Sequence, residues 1–236
     1  MRSGLKAPSK VAGKQHAGQT HDTTQKKQGA TKRTAKGKRS ASPTAPIKGK
    51  RSAKVQLVSS KLAYRGPLFD VYTDYIQEPQ GEPARRDVIR HSGSVVILAV
   101  DDTKNPADPL IVIERQYRHA AGQYMWEIPA GRREPDEEIL PGAKRELQEE
   151  VGYSAKRWTK LARFYVSPGF LGEWMQVYLA EGLSSGQDSP DEDEYIEHRQ
   201  IPFSQALEWV TRGKIIDAKS IAAILLYARR LAAARR

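Results

Sequence analysis

The chain contains no cysteine. That excludes disulfides, thiolate metal sites and a cysteine nucleophile, and it fits a reducing compartment such as the cytoplasm. No apolar run approaches the roughly 20 residues that cross a bilayer, so no membrane span is expected. The N-terminus is basic but has no apolar core segment, and it does not read as a secretory signal. Residues 1–54 are poorer still, with no aromatic residue, few aliphatic ones and a single acid, Asp22.

What is present is unevenly divided. Over 236 residues, 39 Lys and Arg outnumber 28 Asp and Glu, a formal charge of +11. Residues 1–54 hold 15 of those cations against their one acid, a balance of +14. Residues 55–236 hold the other 24 cations and 27 acids, a balance of −3. The basicity therefore belongs to a tail, and the charge of the body gives no reason to read it as a nucleic-acid grip. With so little to bury, the tail is expected to be disordered. Its charge suits loose, non-specific and salt-sensitive contact with nucleic acid or an anionic surface. A solubilising extension with no partner is the plainer reading. An organellar transit peptide is the weaker one, since Lys exceeds Arg and no apolar face is present.

Order is expected from Val55, giving one domain over residues 55–236. Short strands are predicted at 55–58, 69–75 and 86–90, a set of N-terminal strands within 55–90 separated by turns rich in Gly and Pro. The unbroken apolar run Ser94–Val100 reads as a buried strand, paired as a hairpin with 110–115. Further strands are expected at 124–128, 160–165, 174–179 and 195–201. Helices are expected up to Val151, over Phe203–Thr211 with Arg212-Gly213 as its stop, and over Ser220–Arg235. Strands outnumber helices and mix with them irregularly, which points to an α+β fold.

The chemistry lies in one segment. Gly131 is followed, after five intervening residues, by Glu137, and seven more lead to Arg145-Glu146-Leu147-Gln148-Glu149-Glu150-Val151-Gly152-Tyr153. If 142–151 is helical, Glu146 stands at i,i+3 and i,i+4 from Glu149 and Glu150, and the three carboxylates share a face. Like charges so placed repel, and a hard divalent cation would neutralise them. On spacing alone a solvated acidic face remains the alternative. Pro141-Gly142 is costly inside a helix, so the helix is expected to start at or near Pro141.

The whole pattern, seven identities at fixed offsets over 23 residues, resembles the signature of the Nudix hydrolases. The resemblance implies a mixed β-sheet sandwiched between helices and hydrolysis of a nucleoside diphosphate linked to another moiety. It implies Mg²⁺, or Mn²⁺, held by Glu146, Glu149 and Glu150, with the Ala130 carbonyl completing the sphere. Arg145 would orient the carboxylates and Glu137 would pair with it, while Gly131 and Gly152 are structural within the motif.

The similarity runs on from Val55 to the C-terminus. Gln116-Tyr117-Arg118, Trp126-Glu127-Ile128-Pro129-Ala130 and Ser167-Pro168-Gly169-Phe170 resemble the ADP-ribose and related nucleotide-sugar pyrophosphatases of that family, as do Glu208-Trp209-Val210 and Ala218-Lys219-Ser220. The implied substrate is a nucleotide sugar. ADP-ribose comes first and GDP-mannose second; Pro168 accompanies the ADP-ribose-type members. Arg118 offers donors suited to a diphosphate oxygen, and Arg90 could serve similarly. Phe170, Tyr117 and Trp126 are candidate adenine stackers, with core packing the better reading of Trp126. In the acidic run Asp191-Glu192-Asp193-Glu194, Glu192 matches the family's general base and Glu194 an extra metal ligand, and the choice between the two stays open. The histidines His91, His119 and His198 show no ligand spacing. The N-terminal strands are used for exchange dimers in this group, so a homodimer is implied. A non-catalytic Nudix protein that binds nucleotide or RNA, and a hydrolase of RNA caps or dinucleoside polyphosphates, are the rival readings.

Overall fold

The computed structural model describes residues 54–67, 69–189 and 195–234. The tail expected over 1–54 and the run Asp191–Glu194 lie outside the described residues, Lys54 excepted. Among those described, the strands form two sheets, and no helix is long and apolar enough to cross a membrane.

The first sheet is a three-stranded antiparallel meander of β1 (Gln56–Arg65), β2 (Asp70–Gln77) and β3 (Pro83–Ile89). Each strand extends beyond the stretch its sequence pattern marks, because the polar residues Ser59 to Lys61 and Arg85 to Asp87 pair through their backbones. Thr73 donates to Asp87 across this sheet and Arg85 donates to it along β3, which together hold its carboxyl below the ordinary range.

The second sheet is mixed. Its order is β10 (Glu197–Pro202), β5 (Leu110–Arg118), β4 (Ser94–Asp101), β9 (Trp174–Ser185) and β8 (Tyr153–Tyr165). β4 runs parallel to β9 and is covered on both faces, which is why its sequence is apolar without alternation. Val96, Leu98 and Val100 face a core closed by α2 (Phe203–Thr211) and α3 (Ala218–Ala234). Val95, Ile97 and Ala99 face a second core closed by α1 (Ile139–Val151). The sheet is thus sandwiched between helices.

The hairpin between β4 and β5 is confined to its base, Val100 opposite Ile111 and Asp101 opposite Leu110. Beyond it the two strands part. The gap is taken by β6 (Gln123–Glu127), paired with β5, and by the three-residue β7 (Ala130–Arg132), paired with β4. The Ile97 amide closes the fork by donating to the Pro129 carbonyl at 2.8 Å. This splay brings Ala130 and Gly131 beside the middle of the sheet, against the helix that carries the glutamates.

Candidate active site

α1 begins earlier than its proline predicts. Glu138 is the N-cap, and Pro141 is the third helical residue, still within the first turn where an amide has no intrahelical acceptor. Gly142 supplies the first helical bond, to the Glu138 carbonyl at 3.1 Å. A Cβ at 142 would stand 2.7 Å from Glu137 Oε2, so glycine leaves room there for the Glu137 carboxylate. The helix ends at Gly152, whose left-handed backbone (φ 68°) lets its amide bond the Gln148 and Leu147 carbonyls. The next segment is tied back to this end. Gly186 N–H donates to Gly152 O, Ser189 N–H to Glu149 O and Gln148 Nε2 to Gln187 O.

Glu146 and Glu150 are buried, while Glu149 is half-exposed, so the three carboxylates share one side of α1 at different depths. Arg145 organises them. It donates through Nε and Nη2 to Glu137 (3.0 and 3.1 Å) and through Nη1 to Glu149 (2.7 Å), and it pairs with Glu146 at 2.9 Å. Hydrogen bonding to Glu137 raises the Arg145 guanidinium above its ordinary range, and the same bonds hold the Glu137 carboxyl below its own. Glu137 also accepts from the Glu134 amide, which closes the loop ahead of α1. β7 meets this face directly. The Ala130 amide donates to Glu150 Oε2 at 2.9 Å, and a Cβ on residue 131 would overlap the Glu146 carboxylate.

Hard anionic oxygens on one helix face have the chemistry of a Mg²⁺ or Mn²⁺ site, so the donor set fits such a cation. Among the described residues no three acidic or histidine side chains converge on one point, with Arg145 between Glu146 and Glu149. The residues expected to bind substrate fall into two places. Arg118 is near the carboxylates, its charge stabilised by Glu127, Glu114 and Glu150. Its Nε and Nη2 donate to Glu127 at 2.8 and 2.9 Å, and these bonds raise its pKa. Arg90, Pro168 and Phe170 share a hollow of about 350 Å³, with Tyr165 and His91 also on its wall. There Arg90 lies over the Tyr72 ring and pairs with Asp74 at 3.0 Å. Trp126 packs against the α2–α3 core beside Trp209, whereas Tyr117 is exposed. Glu192 and Glu194 lie outside the described residues.

The NUDIX domain model matches residues 90–224. The chain belongs to the Nudix family. It is 36% identical over 176 residues to the ADP-ribose pyrophosphatase of Bacillus subtilis (strain 168), covering 74% of this chain and 92% of that one. It is 35% identical over 173 residues to the ADP-ribose pyrophosphatase of Mycobacterium tuberculosis (strain ATCC 25618 / H37Rv), covering 72% and 81%. Among solved structures, one described as an ADP compounds hydrolase superposes with a TM-score of 0.68 at 20% identity, covering 79% of this chain and 98% of that one. That structure speaks for the fold. The chain is thus a Nudix hydrolase resembling ADP-ribose pyrophosphatases, and members of the family generally use a divalent metal.

A buried charge cluster beside the Nudix helix is missing from the motif reading. Glu114 and Glu127 are fully buried and sit opposite one another on β5 and β6, and Lys219 and Ser220 of α3 are buried too. The signal was present: an acid, Glu114, follows directly on the apolar run Leu110–Ile113, and another stands between Trp126 and Ile128. A charge inside an apolar strand calls for a buried partner. Burial pushes the Glu127 carboxyl up, but hydrogen bonds from Arg118 and the Lys219 charge outweigh it, and the net shift is down from 4.5.

Two outcomes are expected. Gly131→Ala displaces the Glu146 carboxylate, the flexible end of a side chain, so stability should change by about 1 kcal/mol or less while turnover falls at least about tenfold. A urea titration beside a rate assay checks this, and equal turnover would refute it. Because the Glu127 pKa is lowered in the fold, its stabilisation is complete above pH 4.5 and is lost as pH falls through the depressed folded value. The melting temperature of Glu127→Gln should therefore fall less steeply than that of the wild type below pH 4.5. Parallel profiles would contradict it.

Proposed function

We propose that this Nudix hydrolase cleaves the diphosphate bond of a nucleoside-diphosphate sugar, most directly ADP-ribose, with Mg²⁺, giving AMP and ribose 5-phosphate. The observation that carries the reading is the α1 carboxylate face, held by Arg145 and packed against Gly131. Similarity to two ADP-ribose pyrophosphatases over nearly three quarters of the chain supports the substrate.

In this reading Glu146, Glu149 and Glu150, with the Ala130 carbonyl, would hold Mg²⁺, or Mn²⁺ in its place. The cation supplies charge neutralisation at the diphosphate and lowers the pKa of bound water. Everything else falls to the chain's own groups. Arg145 keeps the carboxylates in register through its bonds to Glu137 and Glu149. Arg118 presents a guanidinium to the diphosphate, and Arg90, Pro168 and Phe170 line the hollow for the rest of the substrate. One water adds to one phosphorus, the bridging P–O bond breaks, and the water's proton passes to a carboxylate. Glu192 is that base and Glu194 an added metal ligand. The acidic run follows closely on Ser189, which is bonded to the Glu149 carbonyl.

The reading extends to a homodimer through the first sheet. Leu57, Val58, Tyr64, Phe69 and Tyr75 are exposed there, an apolar surface that pairing with a second copy would cover.

Glu149→Gln and Glu150→Gln keep side-chain shape while each removes one charge. Each should cut ADP-ribose turnover by about 10²-fold or more with the fold retained. AMP release at saturating Mg²⁺, with circular dichroism as the fold control, is the check. Unchanged rates would refute the carboxylate site. Faster cleavage of GDP-mannose (to GMP), dinucleoside polyphosphate or capped RNA would move the substrate assignment.

A further inference from the structure

The first turn of α3 grips the strand that leads into the Nudix loop. Asp217 Oδ2 caps the helix, accepting from the Ser220 amide at 2.9 Å and from Ser220 Oγ at 2.6 Å. The Ile128 amide donates to Ser220 Oγ at 2.9 Å. Lys219 Nζ donates to Asp217 Oδ2 at 3.0 Å and makes a close ion pair with Glu127 Oε2. Glu127 in turn receives Nε and Nη2 of Arg118, and Arg118 Nη1 takes no part in that fork. None of these α3 groups has a part in the chemistry described above, although they lie 92 residues along the chain from the strand they hold.

The electrostatics explain why a lysine is needed. Glu114 and Glu127, both fully buried, face each other across β5 and β6, and Glu150 is close enough to act on Arg118. Arg118 alone would face three carboxylates. The buried ammonium adds the second positive charge and shares Glu127 Oε2 with Nη2 of the guanidinium. A buried carboxylate held by two cations has a single orientation, and so does the fork bound to it.

We propose that Lys219 is a positioning residue for substrate binding: through Glu127 it fixes the Arg118 guanidinium so that Nη1 meets a diphosphate oxygen. This rests on the nucleotide-sugar reading above.

The test is a double-mutant cycle on the full chain with Lys219→Met, Arg118→Met and both together, measuring KM and kcat for ADP-ribose at a temperature where each is folded by circular dichroism. Lys219→Met should raise KM about tenfold with kcat changed by no more than about threefold. Arg118→Met should raise KM at least as much, the double variant should match Arg118→Met alone, and Lys219→Arg should recover most of the loss. Losses that multiply would overturn the proposal, as would a lowered melting temperature with unchanged KM, since Lys219 would then only stabilise the fold. If Lys219→Met does not fold, Glu127→Gln takes its place in the cycle under the same expectations. A wild type that rejects ADP-ribose but turns over another nucleotide sugar contradicts the substrate reading alone, and the cycle is then read with that sugar.

Discussion

Glu146, Glu149 and Glu150 crowd three negative charges into little more than one helical turn, two of them buried, and an isolated helix would be destabilised by that arrangement. The surrounding fold holds the charges in place. Arg145 spans Glu137, Glu146 and Glu149, the Ala130 amide binds Glu150, and the missing side chain at Gly131 leaves room for Glu146. Each of these gives a carboxylate a donor or the space it occupies. The irregularities of the loop and helix are therefore consequences of one electrostatic constraint.

The sheet explains how those groups arrive together. β4 buries both faces, so α1 and α3 dock on opposite sides of the same strand. Because β4 and β5 part after two residue pairs, β6 and β7 can enter the fork. β7 then meets α1 from one side, and the end of β6 is gripped by the first turn of α3 from the other. The carboxylate face and the Arg118 guanidinium are thus anchored to separate helices but share the short connection Glu127–Ala130.

Much of this was legible in the sequence. The fixed offsets from Gly131 to Gly152 put Glu146, Glu149 and Glu150 on one helix, Phe203–Thr211 had clear limits, and the unbroken run Ser94–Val100 marked a strand covered on both faces. Other features were not legible, for physical reasons. β7 has three residues, too few to show a period, and it forms because the fork between β4 and β5 leaves backbone groups to pair. The parallel pairing of β4 with β9 joins residues some 80 positions apart, a matter of topology that local pattern does not encode. Pro141 sits inside the helix because the first turn needs no amide acceptors, and Gly142 serves the Glu137 carboxylate more than it weakens the helix. Glu127 looked like part of a motif rather than a buried ion because its counter-charge, Lys219, is so distant in sequence.

The central claim is that the acidic face of α1 is a divalent-cation site. The most direct measurement is a titration of Mn²⁺ into the metal-free protein followed by electron paramagnetic resonance, comparing the wild type with Glu150→Gln. The free-Mn²⁺ signal should be suppressed by the wild type and largely restored in Glu150→Gln, with the circular dichroism spectrum and melting curve retained. Equal Mn²⁺ uptake by both chains would contradict the site.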